Sequence, residues 1–276
     1  RNTMAAAYPS PTINETELPP RHRFVPGAGV EYYSSLFTLW NLLDRNIHDI
    51  SEKIWRSGKP MKTSTPYGYM RLEQLEAYSR EARHAQTYCE TGFNGGHGTA
   101  AMMLANPRLQ VHSFDWMQNP YAERAAQLLA LYFGDRFHLH EGNSRKTVAA
   151  VAASGVVRCD LVVVDGGHFG TVVYADLKNF RKMASCGARV FIDDINENPG
   201  KQLRRAEADG LLRVTGWHMH GPGERANPCL RSYKAAKHSV NREGNTSVLR
   251  TGIKCFGTWG WASAVYGNQS ACAALR

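Results

Sequence analysis

Three carboxylates and one histidine follow two apolar runs of the chain, and they are the residues best suited to chemistry. Asp165 directly follows the first run, residues 160–164, which is the fourth predicted strand, and His168 comes three residues later. Asp193 and Asp194 follow the second run, residues 188–192. If the two runs are neighbouring parallel strands, these side chains meet at one edge of the sheet.

Three carboxylates at one place repel each other, so they need a cation or raised pKa values. A ligand set made only of oxygen atoms favours a hard ion such as Mg²⁺, Mn²⁺ or Ca²⁺. The alternative is that Asp193 and Asp194 only cap the turn that follows. A metal site built on Asp165, Asp193 and Asp194 is therefore the first hypothesis.

A glycine-rich turn stands earlier in the chain, between a predicted strand and a predicted helix. It contains Gly92, Gly95, Gly96 and Gly98, with Glu90 at the end of the strand. Glycines let the backbone approach a ligand closely, and the start of a helix offers unpaired N–H groups. The carboxylate favours a ligand with hydroxyl groups or positive charge over a bare phosphate. The turn therefore indicates a nucleoside cofactor.

Three nucleotide-binding motifs compete for this turn. A P-loop is excluded because no Lys-Ser or Lys-Thr follows the glycines. A dinucleotide fingerprint can be matched from Gly96 to Ala101, but it starts too long after the strand to form its tight turn. The third motif is E-x-G-x-x-x-G, with Glu90, Gly92 and Gly96. It resembles motif I of the class I S-adenosylmethionine-dependent methyltransferases.

The next two predicted strands also end in polar residues. Residues 109–114 end in Asp115-Trp116, and an acidic residue at the end of the second strand is placed to hold ribose hydroxyls. Residues 137–141 lead into a turn that lies against the adenine in the resembled family, with polar contacts from Asn143 and Ser144. The predicted cofactor-binding residues are Glu90, Gly92, Asn94, Gly96, Asp115, Trp116, Asn143, Ser144 and Asp165.

Predicted strands and helices alternate along the chain. Residues 97–106, 120–133 and 144–154 are rich in alanine and leucine and are predicted to form helices between the strands. This alternation predicts a Rossmann-like, doubly wound α/β fold, with helices on both faces of a mostly parallel seven-stranded sheet. Residues 211–220 and 254–266 supply the last two strands, which are predicted to pair antiparallel.

The carboxylates and the histidine resemble one branch of these enzymes, the metal-dependent O-methyltransferases. That branch includes catechol O-methyltransferase and the macrolide-sugar O-methyltransferases. The resemblance implies that Asp165, Asp193 and Asp194 bind a divalent cation, Mg²⁺ or Mn²⁺. It also implies that His168, three residues after the first aspartate, is the general base. Asp165 is therefore predicted to contact the cofactor, to bind the metal ion and to take part in catalysis.

The chain is predicted to hold one catalytic domain with extensions. Residues 31–57 repeat apolar positions at steps of three and four, which predicts an amphipathic helix packed on the core. Residues 58–70 are predicted to contribute to a lid, and 221–253 to form a long loop at the acceptor site. The predicted segments are a Pro-rich tail or stem at 1–29 and one domain at 30–276, made of 30–85 (helix and lid), 86–197 (cofactor and metal core) and 198–276 (last strands and substrate loop).

Composition and short motifs bear on whether the protein binds nucleic acid or a membrane and on its compartment. The formal net charge is +9, which keeps a nucleic-acid methyltransferase as an alternative, although no N-P-P-Y-like motif follows the fourth strand. No run of about 18 apolar residues exists that would span a membrane. Sequons at Asn14, Asn245 and Asn268, with the stem-like start, favour the secretory pathway (Golgi) over the cytoplasm.

None of the six cysteines forms a C-x-x-C pair, so a zinc knuckle or redox motif is not expected. Cys89 and Cys159 fall in predicted core strands and are expected to be small buried thiols. Cys229, Cys255 and Cys272 are expected to be able to form a disulfide.

Taken together, the residues and the resemblance predict an S-adenosylmethionine-dependent, metal-assisted O-methyltransferase. A sugar or glycan hydroxyl is the favoured acceptor, and a catechol or other small diol is the alternative. A non-catalytic protein that keeps the cofactor fold is an alternative of another class. Homo-oligomerisation is left open.

Overall fold

The computed structural model describes residues 29–56, 72–220 and 259–267. The predicted tail before residue 29, the lid at 58–70 and the acceptor loop at 221–253 lie outside the described residues. So do the three sequons and the three cysteines of the C-terminal region.

A seven-stranded sheet forms the centre of the molecule. Its order is β3-β2-β1-β4-β5-β7-β6, and only β7 runs antiparallel to both of its neighbours, which confirms the predicted fold class. The chain adds β2 and β3 on one side of β1 and β4 on the other, so a crevice opens between β1 and β4. The strands are β1 (Thr87–Thr91), β2 (Gln110–Asp115), β3 (Phe137–Glu141), β4 (Cys159–Val164), β5 (Ala184–Ile192), β6 (Leu212–His220) and β7 (Trp259–Tyr266).

Helices cover both faces of the sheet. The three predicted between strands are confirmed within one residue, whereas α2, α6 and α7 were not predicted. Pro120 is the first residue of its helix, where a missing N–H costs no hydrogen bond. The helices are α1 (Gly29–Arg56), α2 (Leu72–Ala82), α3 (His97–Ala105), α4 (Pro120–Phe133), α5 (Ser144–Ser154), α6 (Val172–Met183) and α7 (Asn198–Ala208).

Two apolar layers hold the helices on the sheet. Helices α1 to α4 pack on one face, where Trp40 and Tyr121 are fully buried. Helices α5 to α7 pack on the other face around Phe114 and Phe180. Side chains alternate along a strand, so Glu90 points to the first layer and its neighbour Cys89 to the second. No described helix is long and apolar enough to cross a membrane.

The prediction that Cys89 and Cys159 are free buried thiols is wrong. The two residues form a disulfide between β1 and β4, with Cα atoms 5.9 Å apart, and both are fully buried. Cys186 is also disulfide-bonded, and no described cysteine is free. The prediction failed because two cysteines 70 positions apart give no local sign that they face each other.

Candidate active site

A cavity of about 510 Å³ opens at the carboxyl ends of the central strands, within the usual size range of small-molecule sites. It includes seven of the nine predicted cofactor-binding residues and all four residues predicted for metal and catalysis. Its lining is Thr91, Gly92, Asn94, Phe114, Asp115, Trp116, Gln118, Asn119, Gly142, Asn143, Ser144, Arg145, Asp165, Gly166, Gly167, His168, Phe169, Val172, Asp193 and Asp194.

Gly92 lets the first turn approach the fourth strand. Its φ is +96°, and a Cβ atom there would lie only 2.1 Å from the carbonyl oxygen of Asp165. Asn94, two residues later, also has a positive φ of 48°. The hydroxyl of Tyr121 donates to Oδ1 of Asn94 at 2.7 Å, which stabilises this rare backbone conformation. The turn is therefore held in place from α4.

Asp115 is oriented before any ligand arrives. Its Oδ2 accepts a hydrogen bond from the backbone N–H of Asn94 at 2.9 Å, and its Oδ1 accepts one from the N–H of Met117 at 2.6 Å. A carboxylate oxygen has more than one lone pair, so each remains able to accept from a ligand hydroxyl. The neighbouring Trp116 is 52% exposed and lines the same part of the cavity.

Glu90 and Gly96 lie behind the turn, and neither is among the described residues that line the cavity. The carboxyl group of Glu90 is buried and accepts hydrogen bonds from the hydroxyls of Tyr88, Thr99 and Ser113. Burial raises the pKa of Glu90, and these hydrogen bonds partly offset the rise. These hydrogen bonds link β1 to its neighbouring elements below the turn. Direct contact between Glu90 and the cofactor stays a prediction.

The turn after β3 is set by a helix cap. Oδ1 of Asn143 accepts from the N–H of Arg145 at 3.1 Å, which satisfies one of the free donors at the start of α5. Asn143 and Ser144 both line the cavity, as the adenine-binding prediction requires.

The predicted catalytic residues come together at one end of the cavity. Nε2 of His168 lies 3.3 Å from Oδ2 of Asp194 and 4.0 Å from Oδ1 of Asp165. One ligand atom from each of these three residues lies within 4.8 Å of the others. Asp193 also lines the cavity, and its Oδ1 accepts from the backbone N–H of Asp194 at 2.8 Å.

The charges at this end suit a cation. Desolvation and the nearby charges of Asp193 and Asp194 raise the pKa of Asp165 well above its usual range. The side chain of Asp165 is 44% exposed, so repulsion from the like charges of Asp193 and Asp194 is the stronger of these causes. Clustered carboxylates bind hard divalent ions such as Mg²⁺ and Mn²⁺.

Two residues at the start of α7 support His168 and were missed from the sequence. Nδ2 of Asn198 donates to the carbonyl oxygens of His168 at 2.7 Å and Gly170 at 3.1 Å. Oε2 of Glu197 lies 3.8 Å from Nδ1 of His168. A prediction of helix α7 would have placed Glu197 and Asn198 at its start, but that helix was not predicted from the sequence.

Residues 89–195 match a family model described as "Methyltransferase domain". This part of the chain is similar in sequence to methyltransferase domains. It contains the glycine turn, Asp115, which is predicted to bind ribose, and the carboxylates with His168. The predicted resemblance to class I S-adenosylmethionine-dependent methyltransferases is thereby confirmed. No curated protein matches the sequence.

Solved structures share the fold of the methyltransferase domain at low identity. One is the O-methyltransferase from Bacillus cereus in complex with SAH, with a TM-score of 0.52 and 13% identity over 81% of this chain and 91% of that one. Another is the O-methyltransferase TomG from Streptomyces achromogenes, involved in tomaymycin synthesis, in complex with SAM. Its TM-score is 0.51, with 16% identity over 81% of this chain and 90% of that one.

Proposed function

We propose that this chain is an S-adenosylmethionine-dependent, divalent-metal-assisted O-methyltransferase that acts on a hydroxyl group of a sugar or glycan. The observation that carries the proposal is the convergence of Asp165, His168 and Asp194 at one end of the cavity of a methyltransferase domain. A carboxylate cluster with a histidine is what activation of a hydroxyl acceptor requires. Solved structures with the same fold include O-methyltransferases.

The cofactor assignment is supported by the residues that line the cavity. Asp115 is oriented to accept hydrogen bonds from the ribose hydroxyls, and Asn143 and Ser144 border the adenine position. Gly92 and Asn94 line the same cavity and are proposed to border the amino-acid portion. The cavity suits one small-molecule cofactor with an acceptor beside it.

The metal assignment is supported by the donor set. Asp165, Asp193 and Asp194 are proposed to hold Mg²⁺ or Mn²⁺, since oxygen ligands in this number suit both ions. A divalent cation held by these residues would lower the pKa of an acceptor hydroxyl and orient its oxygen. Nearby positive charge also relieves the repulsion among the carboxylates.

His168 is proposed to remove the acceptor proton at Nε2, the nitrogen that faces the carboxylates. The acceptor oxygen then attacks the methyl carbon of S-adenosylmethionine, the O–C bond forms, and the C–S bond breaks to leave S-adenosylhomocysteine. Glu197 faces Nδ1 and Asn198 holds the backbone of the loop, so both orient the ring. General-base catalysis of this kind contributes about 10²–10⁴-fold to rate.

A secretory-pathway location is proposed with the glycan acceptor. The disulfide between Cys89 and Cys159, together with the bonded Cys186, supports an oxidising compartment, because such bonds are rare in the cytosol. A cytoplasmic enzyme acting on a small catechol or diol is the competing proposal. A thiol count on protein purified from its native compartment, without reductant, separates the two.

The alternative functions predict different experimental behaviour. A nucleic-acid methyltransferase is compatible with the net charge of +9, and its binding would weaken steeply with salt. A non-catalytic cofactor-binding protein would not need the base and carboxylates that line this cavity. Methyl transfer to an oligosaccharide or diol panel at moderate salt distinguishes these alternatives.

The decisive experiment is calorimetric titration of S-adenosylmethionine into the purified chain, with and without Mg²⁺ or Mn²⁺. Binding that is lost in Asp115→Ala supports the cofactor assignment and justifies an acceptor screen. No binding to the unmodified chain under any of these conditions would overturn the proposed function.

A further inference from the structure

Asp176 on α6 is a buried carboxyl group that the mechanism above does not use. The residue is fully buried, and neither carboxyl oxygen has a hydrogen-bond partner among the described residues. The buried hydroxyl of Thr91 also has no partner among them. A polar group that is buried and unpaired destabilises the folded protein, and it does so more strongly when the group is charged. The burial of the Asp176 carboxyl group without a partner therefore indicates a function other than stability.

The position of these unpaired atoms is directly behind the cofactor cavity. Asp176 lies close enough to the hydroxyl groups of Thr91 and Ser144 for both to lower its pKa, although neither meets ordinary hydrogen-bond geometry, and both of those residues line the cavity. Gly166 packs on the other side of Thr91, where a Cβ atom would lie 3.2 Å from the Thr91 hydroxyl oxygen. Asp176 therefore stands behind the turn after β1 and the start of α5, the two segments that border the cofactor.

The other polar groups near Asp176 do not neutralise it. Tyr266 donates its hydroxyl hydrogen to the carbonyl oxygen of Leu177 at 2.8 Å. Arg145 is exposed, and its Nη2 donates to the hydroxyl of Thr171 at 3.3 Å. Burial raises the pKa of Asp176 to about 7, and the hydroxyls of Ser144 and Thr91 and the charge of Arg145 offset only part of this.

We propose that Asp176 is a positioning residue of the cofactor site that orients the Thr91 and Ser144 hydroxyls and favours cationic S-adenosylmethionine over neutral S-adenosylhomocysteine. The two molecules share every group except the methyl sulfonium, which carries the positive charge. A buried carboxylate acts on that charge with little solvent screening. This inference rests on the proposed cofactor and adds a means of releasing the product.

The test compares Asp176→Asn with the unmodified protein by calorimetry at about pH 8.5, where a group with a pKa near 7 is ionised. The amide keeps the shape and removes the charge. We expect affinity for S-adenosylmethionine to fall about tenfold, which corresponds to ~1.4 kcal/mol, and affinity for S-adenosylhomocysteine to fall less. Asp209→Asn is the matched control. Asp209 is exposed and accepts a hydrogen bond from the hydroxyl of Tyr174, which lies on the same helix as Asp176. This substitution should change neither affinity.

The pH dependence separates a charge effect from a packing effect. In the unmodified protein the preference for S-adenosylmethionine should decrease as pH falls through about 7, and in Asp176→Asn this component should be absent. Asp115, Asp165, His168 and Arg145 are present in both proteins, so they contribute equally to the two sides of the comparison. Equal loss of affinity for both molecules, or no loss, would overturn the inference.

A second pair of variants keeps the inference testable if Asp176→Asn does not fold. Thr91→Val and Ser144→Ala remove the two hydroxyls from the cavity side, singly and together. If the carboxyl group orients both, the losses of affinity should be non-additive, and additive losses would contradict the inference. Failure of the unmodified protein to bind either molecule would instead count against the proposed function.

Discussion

The backbone N–H of Asn94 donates a 2.9 Å hydrogen bond to Oδ2 of Asp115 and so joins the glycine turn to the end of the second strand. The same carboxylate binds the N–H of Met117 through its other oxygen. Asp115 is thus part of the turn's structure and also the predicted ribose ligand. A substitution there should affect both the shape and the chemistry of the cofactor site.

Asp115→Ala should weaken S-adenosylmethionine binding by about ten- to a hundredfold, because hydrogen bonds to a charged group are worth about 1.5–3 kcal/mol. Isothermal calorimetry measures the change directly. Asp135→Ala, on an exposed turn, is the control and should bind normally. Unchanged affinity in Asp115→Ala would remove the ribose assignment.

His168→Ala should reduce kcat by about 10²–10⁴-fold, since the acceptor would lose its general base. The dissociation constant for S-adenosylmethionine should stay within about twofold of the original. His84→Ala is the control. His84 is exposed and precedes β1, so this substitution should leave turnover unchanged. A normal rate in the His168 variant would rule out the base assignment.

Removal of divalent ions should stop turnover while cofactor binding persists. The proposed ion is held by Asp165, Asp193 and Asp194, whose chemistry is separate from the ribose and adenine contacts. Binding of Mn²⁺, followed by electron paramagnetic resonance, should be weakened by Asp165→Asn and Asp194→Asn and unaffected by Asp135→Asn. Full activity in chelator, after exhaustive dialysis, would exclude metal assistance.

The joint substitution Cys89→Ala and Cys159→Ala should lower the free energy of unfolding by about 2–4 kcal/mol. The disulfide links the two strands that border the crevice, and without it the unfolded chain is less constrained. Urea unfolding measures the loss, and thiol labelling under denaturing conditions reports whether the bond is formed. Unchanged stability would mean that the pair does not stabilise the folded protein.

Asp176→Asn should stabilise the protein more at high pH than at low pH. Burial raises the folded-state pKa to about 7, above the value of about 3.9 expected in the unfolded chain. The folded protein therefore binds more protons between these values, and its stability decreases as pH rises through this window. The amide variant lacks this decrease, so its advantage in urea unfolding should grow from about pH 4 to about pH 8. A constant difference would show that Asp176 does not titrate as described.

Much of the site could be predicted because its residues follow strand ends. Asp115, Asp165, Asp193 and Asp194 each come directly after an apolar run, and parallel strands bring their carboxyl ends to one edge. The predicted fifth strand, 188–192, begins at Ala184 in the structure, yet its end was correct, and the end positions the chemistry. Helices α6 and α7 were missed, and with them Glu197 and Asn198.

The sequence alone therefore determined the alternation of strands and helices and the identity of many residues that line the cavity. These follow from local patterns of apolar and turn residues. Only the tertiary structure decided that Glu90 binds three hydroxyls inside the core, that Cys89 pairs with Cys159, and that Asp176 lies behind Thr91. Each of these contacts joins segments far apart in the chain, and whether two such segments meet depends on packing that no local pattern encodes.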